Sequence, residues 1–449
     1  MKKRTRILSA LLCTAMIAGL TACGGGASGD GGEKDAKDEG GDGGKIKLTF
    51  STSVYVEEPH QKAIDNLLAA YNEKNPDIEI EVLGAGYDGY WDNITNEIVS
   101  GTASDMIQVY PENISTYHAL KEDGTFVNLD DYMSDELKGK LTGQDMCVVD
   151  GETLAISSYA WGTTGIFYRK SMLEEKKIDP ASIKTLDDFR EASLKFTENG
   201  GYATAAVSGT HAFTISEWSR LIARPISGGL YFTDDAAGPY DAEHVNVNNE
   251  GNVWAAQWWQ DYILKDKAAT LVTDKSETRE MFWNGQIPFC MDGPWFVGMT
   301  SEDVLEDVGI IAQPDIVYNG ETYKPNPTNY PLVTMINKDC EHPDEAYAFL
   351  EWMTSDEAQA IIADCGMIPS NTDYSTSEEY IANHELEYAI VDFMQNNYVE
   401  LVADPNIPEL GEISQIMLDA GQKMFSEQAA DVQTEMDNAQ KKIEEVMGR

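Results

Sequence analysis

From Ile46 to Ser51 the chain alternates apolar and polar positions (I-K-L-T-F-S), the two-residue period of a half-buried strand. From Pro59 to Asn72 the apolar residues Ala63, Ile64, Leu67, Leu68 and Tyr71 recur three and four apart, which predicts a helix with one buried face. Alternation returns over Ile78 to Leu83. A second helix is expected through Trp91, Ile94 and Ile98, followed by a turn at Ser100-Gly101-Thr102-Ala103-Ser104 and a strand from Met106 to Tyr110. Repeated strand–helix units imply a mostly parallel sheet covered by helices. Downstream, Thr185-Leu186-Asp187-Asp188-Phe189 reads as a threonine-capped helix start, and Pro343-Asp344-Glu345-Ala346 opens a helix reaching Trp352. Near the C-terminus Val432, Met436, Ala439, Ile443 and Val446 fall on one helical stripe, a pattern that more often packs on its own domain than on a partner.

The N-terminal segment breaks this pattern. Lys2, Lys3, Arg4 and Arg6 precede an apolar run from Ile7 to Leu20, the order of a secretory signal peptide, and the run is too short to span a membrane. It ends in Leu20-Thr21-Ala22-Cys23, which resembles the bacterial lipobox, so residues 1–22 are expected to be removed and Cys23 to be lipidated. Residues 24–45 are Gly, Ser, Asp, Glu and Lys with almost nothing apolar, too little to offset chain entropy. As a Gly-rich coil this tether reaches about 25 Å on average and lifts the folded body off the headgroups. The long tether suits a protein held at the outer face of the cytoplasmic membrane of a Gram-positive cell.

The roughly 400 residues that remain exceed one hydrophobic core, so two lobes are expected. The formal charge of -45 argues against nucleic acid as a partner and otherwise governs solubility. Of six cysteines, Cys13 leaves with the signal and Cys23 takes lipid. Cys147, Cys290, Cys340 and Cys365 lack zinc spacing and are read as free thiols in preference to a Cys340–Cys365 disulfide.

No G-x-S-x-G elbow, P-loop or H-E-x-x-H is present, and no cofactor or metal is expected. Nine Trp and twenty-one Tyr carry more information, because Tyr110, Tyr159, Trp161, Trp295 and Tyr330 fall at expected strand ends or in loops. Aromatic faces with carboxylates and amides at their edges suit a sugar, whose C–H patches are rimmed by hydroxyls. Trp254, Trp258 and Trp259 lie on an amphipathic helix and read as core.

Five ordered motifs carry a resemblance along nearly the whole mature chain: Tyr71-Asn72-Glu73-Lys74-Asn75-Pro76-Asp77, Ser100 to Ile107, Thr163 to Lys170, Phe282 to Trp295, and Pro343 to Gln359 followed by Gly366-Met367-Ile368-Pro369-Ser370. Together they are similar to the extracellular solute-binding proteins of carbohydrate ABC importers, among them maltodextrin-binding proteins. Ser104 stands where that family usually has proline, and Arg169 where it usually has asparagine. The resemblance implies an α/β protein of the two-lobed periplasmic-binding type with hinge crossovers and a helical C-terminal part. The lobes would comprise 46–160 with 332–372, and 161–331 with 373–449. A monomer is implied that binds a sugar or oligosaccharide between its lobes, delivers it to importer permease subunits and performs no catalysis.

On that resemblance Trp295 stacks on a sugar ring, while Glu112 and Asn113, after the third strand, face the cleft at its carboxyl end. Tyr159 and Trp161 flank the first crossover. Ser51, Thr52, Tyr90 and Trp91 complete the candidate ligand-binding set. Asp105, at the start of its strand, reads as a turn residue. Maltodextrin binders carry a further stacking aromatic in the C-terminal part, whereas Gly411-Glu412-Ile413-Ser414 has none, which counts against maltodextrin. Two other readings stay open. A carbohydrate-active enzyme would use Glu112 and Asp292 as its carboxylate pair, and a polyamine binder would use both with Trp295. Cys23→Ala should release the protein into the medium, measured by fractionation; a membrane-bound variant would contradict lipidation.

Overall fold

The computed structural model describes residues 45–449 apart from 57, 85–86, 162–164, 209–220, 327–329, 399–403 and 406. The signal peptide, Cys23 and the polar tether up to residue 44 lie outside the described residues. The first units form as their periodicities predict. Strand β1 (Ile46–Thr52) buries Leu48 and Phe50, and helix α1 (Glu58–Lys74) buries Ala63, Ile64, Leu67 and Tyr71. Strand β2 (Ile78–Gly84), helix α2 (Tyr87–Ser100) and strand β3 (Met106–Val109) follow. β1 runs parallel to β2, with Ile46 opposite Ile78, and parallel to β3, with Phe50 opposite Met106. Asp105 closes the turn into β3, its carboxylate accepting from both the backbone N and the hydroxyl of Thr49 at 2.8 Å.

The chain then leaves this sheet. Strands β4 (Ile156–Trp161) and β5 (Gly165–Arg169) flank the crossover. Helix α3 (Leu186–Leu194) starts at Thr185 in a reciprocal capping box with Asp188. Next come β6 (Thr204–Val207), α4 (Glu250–Gln260), β7 (Ala269–Val272), α5 (Lys275–Trp283), β8 (Phe289–Asp292), α6 (Trp295–Met299) and β9 (Val308–Ile311). Strand β10 (Tyr330–Ile336) returns to the first sheet and leads into α7 (Pro343–Met353), α8 (Asp356–Ala363) and β11 (Ile368–Pro369). Helices α9 (Glu385–Asn396), α10 (Leu410–Phe425) and α11 (Val432–Met447) finish the chain.

Among the described residues the first sheet has the order β11-β4-β10-β3-β1-β2. It is mixed, where a mostly parallel sheet was expected: β10 runs antiparallel to both β3 and β4. The reason is topological, since β10 arrives from the other sheet and not through a local helical crossover, so the parallel rule for strand–helix–strand units does not apply to it. The second assembly pairs β5 antiparallel with β8 and β9, and β6 parallel with β7. The backbone N of Phe289 donates to Ala203 O at 3.1 Å, which joins the start of β6 to β8.

Separate apolar clusters form on the two sheets. Leu48, Phe50, Ile64, Leu67, Phe349 and Leu350 pack on one face of the first. The second is packed by α3, α4, α10 and α11, and Trp258 and Trp259 lie in its interior as their stripe indicates. The C-terminal helix buries Val432, Met436, Ala439, Ile443 and Val446 in the same cluster, so its apolar face is spent on its own domain. Cys147, Cys290, Cys340 and Cys365 are buried and stand outside any disulfide, so the Cys340–Cys365 bridge does not form. No described helix is long and apolar enough to cross a membrane.

Arg169, the departure from the family pattern, has a structural task. Its Nε donates to Asp307 at 2.8 Å and its Nη1 to the carbonyls of Phe282 and Trp283, which satisfies the open end of α5. A second arginine is fully interior. Arg224 is 3% exposed and pairs with Asp235 at 3.2 Å and Asp404 at 2.5 Å. Asp235 also accepts from the backbone of Leu230, Tyr231 and Phe232. Burial raises the Asp235 carboxyl above its ordinary value, against the pull of Arg224. Arg224→Met should therefore destabilise the protein by about 3 to 5 kcal/mol at neutral pH, because it removes the guanidinium that pairs with two buried carboxylates. In denaturant titrations the deficit should shrink as the pH falls and those acids protonate.

Candidate functional site

In an open α/β sheet a ligand meets the carboxyl ends of the strands, because helix N-termini and connecting loops converge there. On the first sheet that edge is formed by the end of β1, α2 and the turn after β3. Tyr110 leaves β3, and Pro111–Asn113 make one turn of 3-10 helix. Trp91 and Tyr110 are half-buried, with ring centroids 5.3 Å apart. The Tyr117 ring lies nearly parallel to that of Trp91 at 6.5 Å. Glu112 and Asn113 are also half-buried. The Asn113 Oδ1 is shielded from solvent and accepts from no donor among the described residues. An amide oxygen in that position is costly unless something donates to it.

The other candidates separate from this group. Ser51 is buried with its hydroxyl 2.6 Å from Ser104 Oγ. Thr52 is buried too, and its hydroxyl donates to Gln108 Oε1 at 2.7 Å while accepting from the Val54 backbone. Tyr90 is interior and donates to the Gln108 carbonyl at 2.8 Å. Tyr159 is interior as well, its hydroxyl 3.0 Å from His60 Nδ1. These side chains already spend their polar atoms on the protein. The backbone of Trp161 pairs with Tyr330 at the edge of β4 and β10, and its side chain lies outside the described residues.

Trp295 opens α6 and is 5% exposed. A Cβ on Gly293 would stand 2.1 Å from its ring, so only glycine lets the ring fold back over the turn. The ring packs into the apolar cluster of the first sheet, while Phe296, the next residue, packs into the cluster around Phe167 and Phe282. A methyl on Gly298 would meet the Cys365 carbonyl at 2.6 Å, and one on Gly366, whose φ is +81°, would meet Gly298 N at 2.8 Å. The Gly366 motif is thus a backbone-to-backbone contact between α6 and the turn into β11. Trp295 and the Trp91–Asn113 group hold different surroundings: an interior wedge for the former, a half-exposed strand edge for the latter.

Asp292 is 1% exposed and held by Arg279, with Nε at 2.8 Å and Nη2 at 3.3 Å. Burial pushes its carboxyl up, but Arg279 and Lys275 outweigh that and hold it below the usual carboxylate range. An ionised, bidentately paired carboxylate is neither a proton donor nor a free counter-ion. That removes Asp292 from both the enzyme pair and the polyamine box. The Arg279 charge also acts on His60, whose imidazole is lowered to about 3, first by burial and then by that guanidinium. His60 sits on α1 and Arg279 on α5, so the charge of a residue on one helix is felt by a residue on the other. Sequence reasoning missed this coupling, because neither residue carries a local motif.

Residues 57–360 match the family described as bacterial extracellular solute-binding protein. The chain belongs to that family. Among curated relatives, this solute-binding protein is 22% identical over 296 residues to a maltotriose-binding protein of Pyrococcus abyssi, covering 65% of this chain and 60% of that one. It is 23% identical over 250 residues to a galactooligosaccharide-binding protein of Bacillus subtilis, covering 54% and 55%. The match therefore spans little more than half the length of these relatives. The GacH receptor of Streptomyces glaucescens, solved unliganded and in complex with acarbose, superposes with a TM-score of 0.74 at 15% identity over 90% of this chain and 99% of that one. The solute-binding protein thus has the two-lobed α/β fold of the periplasmic-binding type.

Because Trp295 is 5% exposed and packs into the apolar cluster of the first sheet, its loss should carry a folding cost. Trp295→Ala should lower the stability of the ligand-free protein by about 3 to 5 kcal/mol in denaturant titration. An unchanged midpoint would show that the ring is not part of the core.

Proposed function

We propose that this solute-binding protein captures a sugar or oligosaccharide between its lobes and hands it to the permease of an ABC importer. The observation that carries the reading is the edge at the carboxyl end of β3, where the shielded Asn113 Oδ1 awaits a donor beside the half-exposed rings of Trp91 and Tyr110. A hydroxyl supplies the donor and a pyranose face covers a ring. Glu112 lies on the same turn and adds an acceptor. Relatives that bind maltotriose and galacto-oligosaccharides support the ligand class. The proposed lobes are 46–160 with 332–372 and 161–331 with 373–449, and closure about the crossovers removes the ligand from water. The proposed setting is the outer face of a Gram-positive cytoplasmic membrane, with a monomer anchored through lipid on Cys23 and its tether. No catalytic step belongs to this reading.

A thermal-shift series with maltotriose, galacto-oligosaccharides and spermidine tests it, since a ligand of the folded state at a hundred times its Kd adds about 2.7 kcal/mol. A shift with a sugar is the expected outcome; a shift with spermidine alone would replace sugar with polyamine. Asn113→Ala should weaken the sugar that binds by about 1 kcal/mol, roughly fivefold in Kd by calorimetry, with little change in ligand-free stability.

A further inference from the structure

Away from the β3 edge, one carboxylate is buried without a full charge to balance it. Glu387, in the first turn of α9, is 5% exposed. Its Oε1 lies 4.0 Å from Nδ1 of His384, and the other ring nitrogen of His384 lies 3.7 Å from Asp364 at the end of α8. The Tyr380 ring stacks on that imidazole with centroids 4.9 Å apart, and the Tyr380 hydroxyl is buried with no hydrogen-bond partner among the described residues. Tyr374 packs against Tyr380 in turn. The strands that α9 packs on, Val308–Ile311 and Ile368–Pro369, bring no charge, and Glu378, Glu379 and Glu385 are exposed. Among the described residues no lysine or arginine forms an ion pair with Glu387 or Asp364.

The position of this cluster matters as much as its composition. Ile390 and Val391 of α9 pack with Phe167 and Val308 of the second sheet and also with Ile368 of β11, an edge strand of the first. Anything that loosens α9 therefore loosens an apolar cluster to which strands of both sheets contribute. We propose that Glu387, His384, Tyr380 and Asp364 form a proton-operated clamp on this junction, tight while Glu387 is protonated and slack once it ionises.

The direction follows from burial, which pushes the Glu387 carboxyl from 4.5 up to about 7. Burial lowers the His384 imidazole, although Asp364 pulls it the other way. Near neutrality the imidazole thus offers Glu387 no full positive charge. A carboxyl whose folded value is raised contributes stability below its unfolded value, and that contribution is lost as the pH climbs through the folded one. The clamp is therefore strongest in acid, weakens up to about 7 and is level above. Between about pH 6 and pH 8 the linked equilibrium changes by about tenfold.

Hydrogen exchange on the whole mature chain, normalised to intrinsic rates, reads this directly. Protection of residues 385–396 should fall by about tenfold between about pH 6 and pH 8 in the wild type and stay level in Glu387→Gln. Equal pH dependence in both chains overturns the proposal, as does none in the wild type. Should Glu387→Gln fail to fold, the wild type decides alone. Loss of an infrared protonated-carboxyl band with a midpoint near 7, in step with loss of protection, supports the clamp; pH-independent protection refutes it.

Discussion

Two apolar cores have to touch in this protein without merging, and the contact falls on the five residues of α6. Trp295 points into the cluster of the first sheet and Phe296 into the cluster beside the second, so successive side chains of one short helix belong to different interiors. The arrangement needs close backbone approach, which Gly298 and Gly366 permit because neither carries a Cβ to hold the chains apart. Gly293 frees the space that the indole needs. The constraint reaches backward to β8, which must end at Asp292, and forward to β11, whose entry turn lies against α6. The motif Phe282 to Trp295 thus leads directly into the helix on which the two clusters meet.

The interior also holds paired polar groups. Asp292 is bonded to Arg279 and His60 to Tyr159, each within the protein. Such pairs add little net stability over apolar packing, but a broken one is expensive, so they penalise misaligned arrangements more than they strengthen the correct one. Paired groups are also unavailable for other chemistry. That separates these pairs from the β3 edge, where the shielded Asn113 Oδ1 has no donor among the described residues.

Local features of the fold were legible because local physics fixes them. The alternation of Ile46 to Ser51 and the spacing of Ala63, Ile64, Leu67 and Tyr71 gave β1 and α1 nearly to the residue, and the Thr185 cap gave the start of α3. The position of Asn113 just after β3, where the structure sets it in a turn of 3-10 helix, was also legible. The antiparallel course of β10 was not, because direction in a sheet depends on where a long crossover returns and no residue pattern within the strand encodes it. For the same reason Asp292 read as a free carboxylate: its guanidinium partner comes from α5, an element that spacing alone does not place beside β8. Ser51 and Thr52 end β1, Tyr90 lies in α2 and Tyr159 in β4 beside the crossover, as their patterns placed them, yet the side on which each hydroxyl spends its bond is a tertiary fact.

The stripe of α11 has a consequence for biosynthesis. The cluster that covers the second sheet begins with Ile166 and is closed by Val446. A chain made at about 5 to 20 residues per second leaves that interior open for roughly 15 to 60 seconds, the time needed to add the roughly 280 residues between them. Until the last turns emerge, the second lobe has no finished interior and its apolar faces stay available to chaperones. A nascent chain in that condition remains slack enough to be threaded through a narrow pore, which a protein that folded from its N-terminus onward would not.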